Sequence, residues 1–362
     1  MRSNSVFWKP KARNLTILQQ QVNWRIKCHA ESYLYPMKPV LVTGAAGHLG
    51  GAIVELLKES GIPMRLVLHK DKGPAERLGS DVEVLYGNLS DREFCTQAVA
   101  GCGAVIHSAA MIEVGNKGIE SLWAVNVEGT RHLAEAALAN NEIKRFIHIG
   151  SVHIYEQSPS HEVLDETRKL VGNSGMPYDV TKAEAHRIIL DLIRQGLPAI
   201  VLNPSSIIGP PDYKPSLVAQ ALNKMLRGKV PALFPGGFDF TDVRDVALVC
   251  VQALREGTVG ESYILGGQFY TLKSLSVALG NAAGKQLRIP VLPFWLGRMG
   301  LPFIALAARI SGKTPLYTRH TLTILEEANR NVSSKKAHQA FGYSPRSLEN
   351  TLNDLLIWQK MQ

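Results

Sequence analysis

A doubly wound, parallel α/β sheet followed by a smaller, irregular C-terminal α/β substrate domain is the fold class this 362-residue sequence predicts, on three observations. The run from Val40 to Gly50 joins a buried-strand pattern directly to a glycine-spaced turn and an amphipathic helix. Apolar strand patterns then alternate with helical ones as far as residue 203, which is the signature of a parallel sheet wrapped by helices. From Pro204 onward, Gly/Pro-rich loops such as Gly209-Pro210-Pro211 and Phe234-Pro235-Gly236-Gly237 separate short elements instead. The organisation this predicts is a Rossmann-type sheet in residues 37–203. Residues 204–362 are then mainly a substrate-binding region, with segments near 238–265 returning to the sheet.

Each element follows from local pattern. In Thr43-Gly44-Ala45-Ala46-Gly47-His48-Leu49-Gly50, Gly44 permits the tight turn, Gly47 lets backbone approach a pyrophosphate, and Gly50 allows close helix-to-sheet packing. The helix that follows carries Ile53, Val54, Leu56 and Leu57 on one side and Glu55, Lys58 and Glu59 on the other, and aims its first amides at the phosphates. A plain βα connection is the ordinary alternative. Met64 to Leu68, Val82 to Tyr86 and Ala104 to His107 read as strands, with helical patterns from Ser90 to Ala100 and from Gly118 to Asn140. Arg145 to Ile149 is the next strand, Tyr178 to Arg194 a long helix, and Ala199 to Leu202 a strand after the Gly196-Leu197-Pro198 stop. Right-handed crossovers gather the ends of such strands along one sheet edge. Thr241 to Asp245 then leads into a helix from Val246 to Arg255, and Glu261 to Leu265 is a late strand.

Charge is unevenly spread. The formal net charge is +9, but residues 1–36 hold six Lys/Arg against Glu31 alone, leaving 34 basic and 30 acidic residues in the rest. The body is therefore only mildly basic, and a nucleic-acid partner is not expected. The extension itself lacks periodicity and reads as a disordered or non-native start, an organelle presequence, or a basic tail for a polyanion. Cys28, Cys95, Cys102 and Cys250 form no CxxC pair, so free thiols and a cytoplasmic location are the expectation. The most apolar segment, Val291 to Ile310, is broken by Pro293, Arg298, Pro302 and Arg309. It is no spanning helix, though peripheral membrane contact stays open beside the reading as a core helix. No trio of residues has metal-ligand spacing. His107 reads as the end of a strand, and Asp165-Glu166 as a turn or helix cap.

Tyr178 and Lys182 stand one helical turn apart on one face. Spacing alone would also fit an exposed aromatic-lysine pair; their position after a strand ending in Gly150-Ser151 brings a hydroxyl and a phenol towards the same edge. With these residues in order, the chain from Met37 to its end resembles the extended short-chain dehydrogenase/reductase superfamily. The glycine turn looks like that superfamily's TGxxGxxG, Ser108-Ala109-Ala110 like the small-residue stretch after its fourth strand, and Asn126 like its helix-borne Asn. Ser151 falls at its catalytic Ser/Thr, and Tyr178 with Lys182 matches its YxxxK.

The resemblance implies hydride transfer between a nicotinamide and a substrate carbon. Tyr178 would trade a proton with the substrate oxygen, Ser151 would hold that oxygen, and Lys182 would bond the nicotinamide ribose and, together with the oxidised nicotinamide, lower the phenol pKa. Asn126 is read as ordering its helix or as part of a proton relay. Cofactor contacts are expected from Thr43, Gly44, Ala46, Gly47, His48, Leu49 and Gly50, from Asn88 and Leu89, from Ser108, Ala109 and Ala110, and from Pro204 and Ser205. After the second strand, Leu68-His69-Lys70 with Arg77 nearby supplies bases where NAD-binding relatives place an acid, which favours NADP(H) over NAD(H). Ser206 and Phe238 replace residues that sugar-nucleotide members use. Asp242 to Val246 and Tyr263 to Gly267 look instead like the dihydroflavonol 4-reductase and 3β-hydroxysteroid dehydrogenase branch.

The expected enzyme is thus an NAD(P)-dependent oxidoreductase interconverting a secondary alcohol and a ketone on a fairly apolar small molecule. An apolar pocket from Phe234, Phe238, Phe240 and the stretch around Phe294-Trp295 would suit it, although each of these aromatics taken singly reads as core. A nucleotide-sugar epimerase or dehydratase with bound NAD, and a non-catalytic NADP(H)-sensing protein, are the alternatives. The chain is expected as a homodimer, through the helices Gly118 to Asn140 and Tyr178 to Arg194, or as a monomer.

Overall fold

The computed structural model describes residues 38–71, 73–78, 82–112, 118–173, 175–301 and 317–362. The expectations placed on residues 1–36, on Cys28 and on 302–310 lie outside the described residues. Seven strands form one parallel sheet: β1 (Val40–Thr43), β2 (Met64–Leu68), β3 (Glu83–Tyr86), β4 (Ala104–His107), β5 (Arg145–Ile149), β6 (Ala199–Pro204) and β9 (Ser262–Leu265). Their spatial order is β3-β2-β1-β4-β5-β6-β9. Val42 of β1 therefore stands opposite Leu66 on one side and Ile106 on the other. The order reverses between β1 and β4, which makes a crevice at the carboxyl ends of those strands.

Alternation within β1 sends Val40 and Val42 into one core and Leu41 into the other. The first core is closed by Ile53, Val54 and Leu57 of the helix His48–Glu59 and by Val246, Val249 and Cys250 of the helix Val243–Gln252. The second is closed by the helices Arg92–Val99, Gly129–Ala139 and Pro177–Arg194, through residues such as Cys95, Leu133 and Ile189. With both faces covered, the strands read as continuous apolar runs.

A second sheet has three strands, β7 (Ser206–Ile208), β8 (Gly237–Asp242) and β10 (Gln268–Thr271), with β8 parallel to β7 and antiparallel to β10. Of the stretch near 238–265, β9 pairs with β6 in the large sheet and β8 lies in the small one. The helical pattern from Gly118 to Asn140 is not one regular helix: Gly118–Trp123 passes through a π-helical turn, Ala124–Glu128, into Gly129–Ala139. Among the described residues, no helix is long and apolar enough to cross a membrane and no group of three or more ligating side chains could hold a metal.

Candidate active site

Four of the predicted segments converge because each follows the carboxyl end of a neighbouring strand. The glycine turn follows β1, Ser108-Ala109-Ala110 follows β4, Ser151 follows β5, and Ser205 follows Pro204, the last residue of β6. Tyr178 and Lys182 are delivered from the helix Pro177–Arg194, which packs across the same strands.

At the turn, Gly44 has φ +74°, and a Cβ there would come within 2.6 Å of the Ala109 backbone nitrogen. The Gly47 amide donates to the Gly44 carbonyl at 2.8 Å, closing the loop. Gly50 is closer still: its Cβ would lie 2.0 Å from the Gly44 carbonyl oxygen. Gly47 caps the helix His48–Glu59 with no side-chain acceptor, and no acid stands in the first turn. Its leading amides are free for an anion and uncontested by carboxylates, so this cradle fits a dinucleotide pyrophosphate. The His48 imidazole donates from Nε2 to the Gly209 carbonyl at 2.7 Å and ties the turn to the Gly209-Pro210-Pro211 loop. Leu49 is buried against the sheet, while Ala46 is half-buried in the turn itself.

A direct test of the cradle compares two neighbouring glycines. Gly50→Ala must push backbone against backbone, and the expected result is a loss of about 1–3 kcal/mol of stability, as for overpacking, with NADPH affinity down at least ten-fold. Gly51→Ala makes only ordinary contacts, with the Tyr213 side chain at 3.7 Å and the Ala45 carbonyl oxygen at 3.9 Å, and should leave binding unchanged. Equal NADPH affinity for the two variants in a fluorescence titration would remove the cradle from the cofactor site.

In the catalytic constellation, Ser151 is buried and caps the short 3₁₀ turn Val152–Ile154, its Oγ accepting from the His153 amide at 3.2 Å. The Ser151 side chain neighbours the Tyr178 phenol and opposes the rise of its pKa. Lys182 is buried, and its Nζ donates to the Ile149 carbonyl at 2.6 Å. Burial lowers its pKa to about 8. The Tyr178 phenol pKa is pushed up to about 12 by burial and by the neighbouring Asp179 carboxylate, against the opposing pull of Ser151. Asp179 is itself raised to about 7 by burial. A protonated phenol at neutral pH, beside a hydroxyl, is a proton donor for an oxygen placed between them.

Asn126 lies in the π-helical turn, buried and fully engaged. Its Oδ1 accepts from the Met111 amide at 2.7 Å, and its Nδ2 donates to the Met111 carbonyl at 2.9 Å and to the Thr181 hydroxyl at 3.1 Å. It orders the loop after β4 and the catalytic helix at once. Among the remaining predicted contacts, Leu89 is buried and packs against Gly129, where a Cβ would stand 3.1 Å from the Leu89 Cβ. Asn88 is exposed and accepts from the Ser90 amide. Ser108 donates to the Thr43 carbonyl at 2.8 Å, and Ala110 is exposed at the edge.

His69 and Lys70 are exposed directly after β2. Asp71 accepts from the Gly73 amide at 2.9 Å. The Arg77 guanidinium lies 3.8 Å above the Tyr213 ring, whose hydroxyl donates to Glu55. Tyr213 was not legible as part of this corner, because it arrives from beyond β7.

The aromatic pocket is only partly assembled. Phe234 is buried, stacked on Phe294 and edge-on to Tyr317, and Phe240 is buried too, so both serve the small core. Phe238 is half-buried beside Phe240, while Trp295 faces solvent. Asp165 caps a turn through Thr167, and Glu166 reaches further, accepting from the Ile264 amide of β9 at 2.7 Å.

The chain is similar to known proteins along most of its length. Residues 40–266 match the model of the NAD dependent epimerase/dehydratase family. The chain is 32% identical to sterol demethylase protein B of Methylococcus capsulatus, over 88% of this chain and 97% of that one. It is 28% identical to human 3 beta-hydroxysteroid dehydrogenase type 7, over 88% and 94% respectively. The crystal structure of gox2253 superposes with a TM-score of 0.76 at 31% identity, covering 90% of this chain and 98% of that one.

Proposed function

Since the chain belongs to the NAD dependent epimerase/dehydratase family and is an oxidoreductase of the extended short-chain type, we propose that it interconverts a ketone and a secondary alcohol on a fairly apolar, ring-bearing substrate, with NADP(H) preferred over NAD(H). The observation that carries this reading is the Tyr178 phenol, next to Ser151 and one helical turn from a buried Lys182, at the strand edge where the glycine cradle opens. When bound, the nicotinamide supplies or takes up hydride. Ser151 holds the substrate oxygen, and Tyr178 gives it a proton in the reducing direction. Lys182 is placed to anchor the ribose from behind. The steroid and sterol relatives support an apolar substrate.

Cofactor choice rests on His69, Lys70 and Arg77, three bases at the corner after β2, where the Asp71 carboxylate accepts from the Gly73 amide. Arg77 leaving Tyr213 for a 2′-phosphate would gain bidentate charge-assisted bonds. NADPH is therefore expected to bind at least ten-fold tighter than NADH, and Arg77→Ala to erase most of that preference while leaving NADH affinity unchanged. Fluorescence titration of both cofactors decides this. Equal affinities in the parent protein would return the reading to NAD(H).

The same protein should then be offered steroid ketones, dihydroflavonols and UDP-sugars. NADPH consumption on an apolar ketone supports the reductase reading. Sugar conversion without net consumption would replace it with an epimerase, and tight cofactor binding with no turnover with a sensing protein.

A further inference from the structure

The sequence treats His107 as the end of a strand, yet its ring sits in the middle of an unbroken polar chain. The Ala109 amide donates to the Thr43 hydroxyl at 3.3 Å, and Thr43 Oγ1 lies 2.8 Å from His107 Nδ1. His107 Nε2 lies 2.9 Å from Thr130 Oγ1, which in turn bonds the Asn126 carbonyl at 2.7 Å. Asn126 Nδ2 donates to Thr181, and the Thr181 hydroxyl donates to the carbonyl of Tyr178 at 2.9 Å. Thr43, His107, Thr130, Asn126 and Thr181 are all at most 1% exposed, so water cannot replace a missing link from the surface.

Proton positions follow by elimination. A carbonyl only accepts, so the single Thr130 proton is committed to Asn126, and His107 Nε2 must donate to Thr130. Burial, with the Lys182 ammonium nearby, drives the His107 pKa down to about 3, so the ring is neutral and Nδ1 carries a lone pair. The Thr43 hydroxyl must then donate to Nδ1, which leaves its oxygen to accept from Ala109. Every donor and acceptor is used once and no other arrangement satisfies them all. A fully satisfied buried network of this kind holds one conformation.

We propose that His107, fixed as the neutral Nε2–H tautomer, is a positioning residue that locks the glycine turn to the helix bearing Tyr178 and Lys182. The function of the lock rests on the oxidoreductase reading above, but its existence does not. Thr130 is the link at which to cut it. Thr130→Val replaces the hydroxyl by a methyl of equal size, leaving Thr43 and His107 in contact on the cofactor side and freeing the π-helical turn on the catalytic side. Thr130→Ser keeps the oxygen.

Three readouts are expected. In the parent protein, nitrogen-15 histidine spectra, assigned by loss in His107→Gln, show a neutral Nε2–H ring at pH 7. In Thr130→Val, the Met111 amide, which reports the grip of Asn126, exchanges at least ten-fold faster. For whichever ketone is reduced, kcat falls at least ten-fold with NADPH affinity within three-fold of the parent, and Thr130→Ser restores both exchange and kcat. An Nδ1–H or doubly protonated ring overturns the proposal even if Thr130→Val does not fold. So does unchanged Met111 exchange, or unchanged kcat in a folded Thr130→Val. If the parent reduces no ketone, the oxidoreductase reading fails by itself, while the tautomer and the Met111 exchange still decide whether the lock exists.

Discussion

Tyr178→Phe is expected to lower kcat on a ketone substrate by about 10²–10⁴-fold, the range for losing a positioned general acid, while leaving NADPH affinity within about two-fold. The argument is local. The substitution removes one oxygen, keeps the ring's packing, and leaves the bond from the His153 amide to Ser151 intact. Stability should change by no more than about 1 kcal/mol, the net value of one hydrogen bond. Because the phenol pKa is pushed up to about 12, the group is protonated across the neutral range. The reducing direction should then show little pH dependence from Tyr178 between pH 6 and about 9. Ser151→Ala removes the second contact to the same oxygen and should cost about 10²-fold, and the double variant should be little worse than Tyr178→Phe alone, since the two act as a unit. Residual turnover within ten-fold of the parent in Tyr178→Phe would show that another group supplies the proton.

What the sequence made visible is set by distance along the chain. The glycine turn spans eight residues and the Tyr178-Lys182 pair five, so their spacing carries information by itself. Strand alternation placed β1 to β6, and with the right-handed crossover rule it brought Gly44, Ser108 and Ser151 to one edge. The links that hold those parts in register run between residues far apart, such as Thr43 with His107 and Asn126 with Thr181, and a polar residue in an apolar run shows no partner. Asn126 was singled out, but the π-helical turn that aims it was not, because one extra residue per turn does not disturb an apolar stripe enough to register. The aromatics after Pro204 have the composition of a pocket wall, although each taken singly reads as core, and packing shows that Phe234 and Phe240 do fill the small core.

Lys182→Met should abolish turnover and yet make the protein more stable near neutrality. Lys182 is buried and its pKa is lowered by burial from the ordinary 10.5 to about 8, so the folded state holds the proton less tightly than the unfolded chain does. Below pH 8 both states are protonated, and the full cost of burying the ammonium, about 3 kcal/mol from the shift, falls on the native protein. As pH rises from 8 towards 10.5 the native lysine loses its proton first and that cost is relieved, so Lys182 makes stability increase with pH across this window. Methionine fills a similar volume without charge. It forfeits the bond to the Ile149 carbonyl, worth about 1 kcal/mol, leaving a net gain of about 2 kcal/mol at pH 7. Denaturant titrations of parent and variant should therefore differ most below pH 8 and converge by about pH 10, and taking the difference cancels the other groups that titrate there. A variant less stable than the parent at pH 7, or a difference that does not shrink with rising pH, would mean that the buried ammonium is stabilised by contacts beyond Ile149. The predicted outcome is that the fold carries Lys182 at a cost in stability, as expected of a residue kept for the ribose-anchoring role proposed above.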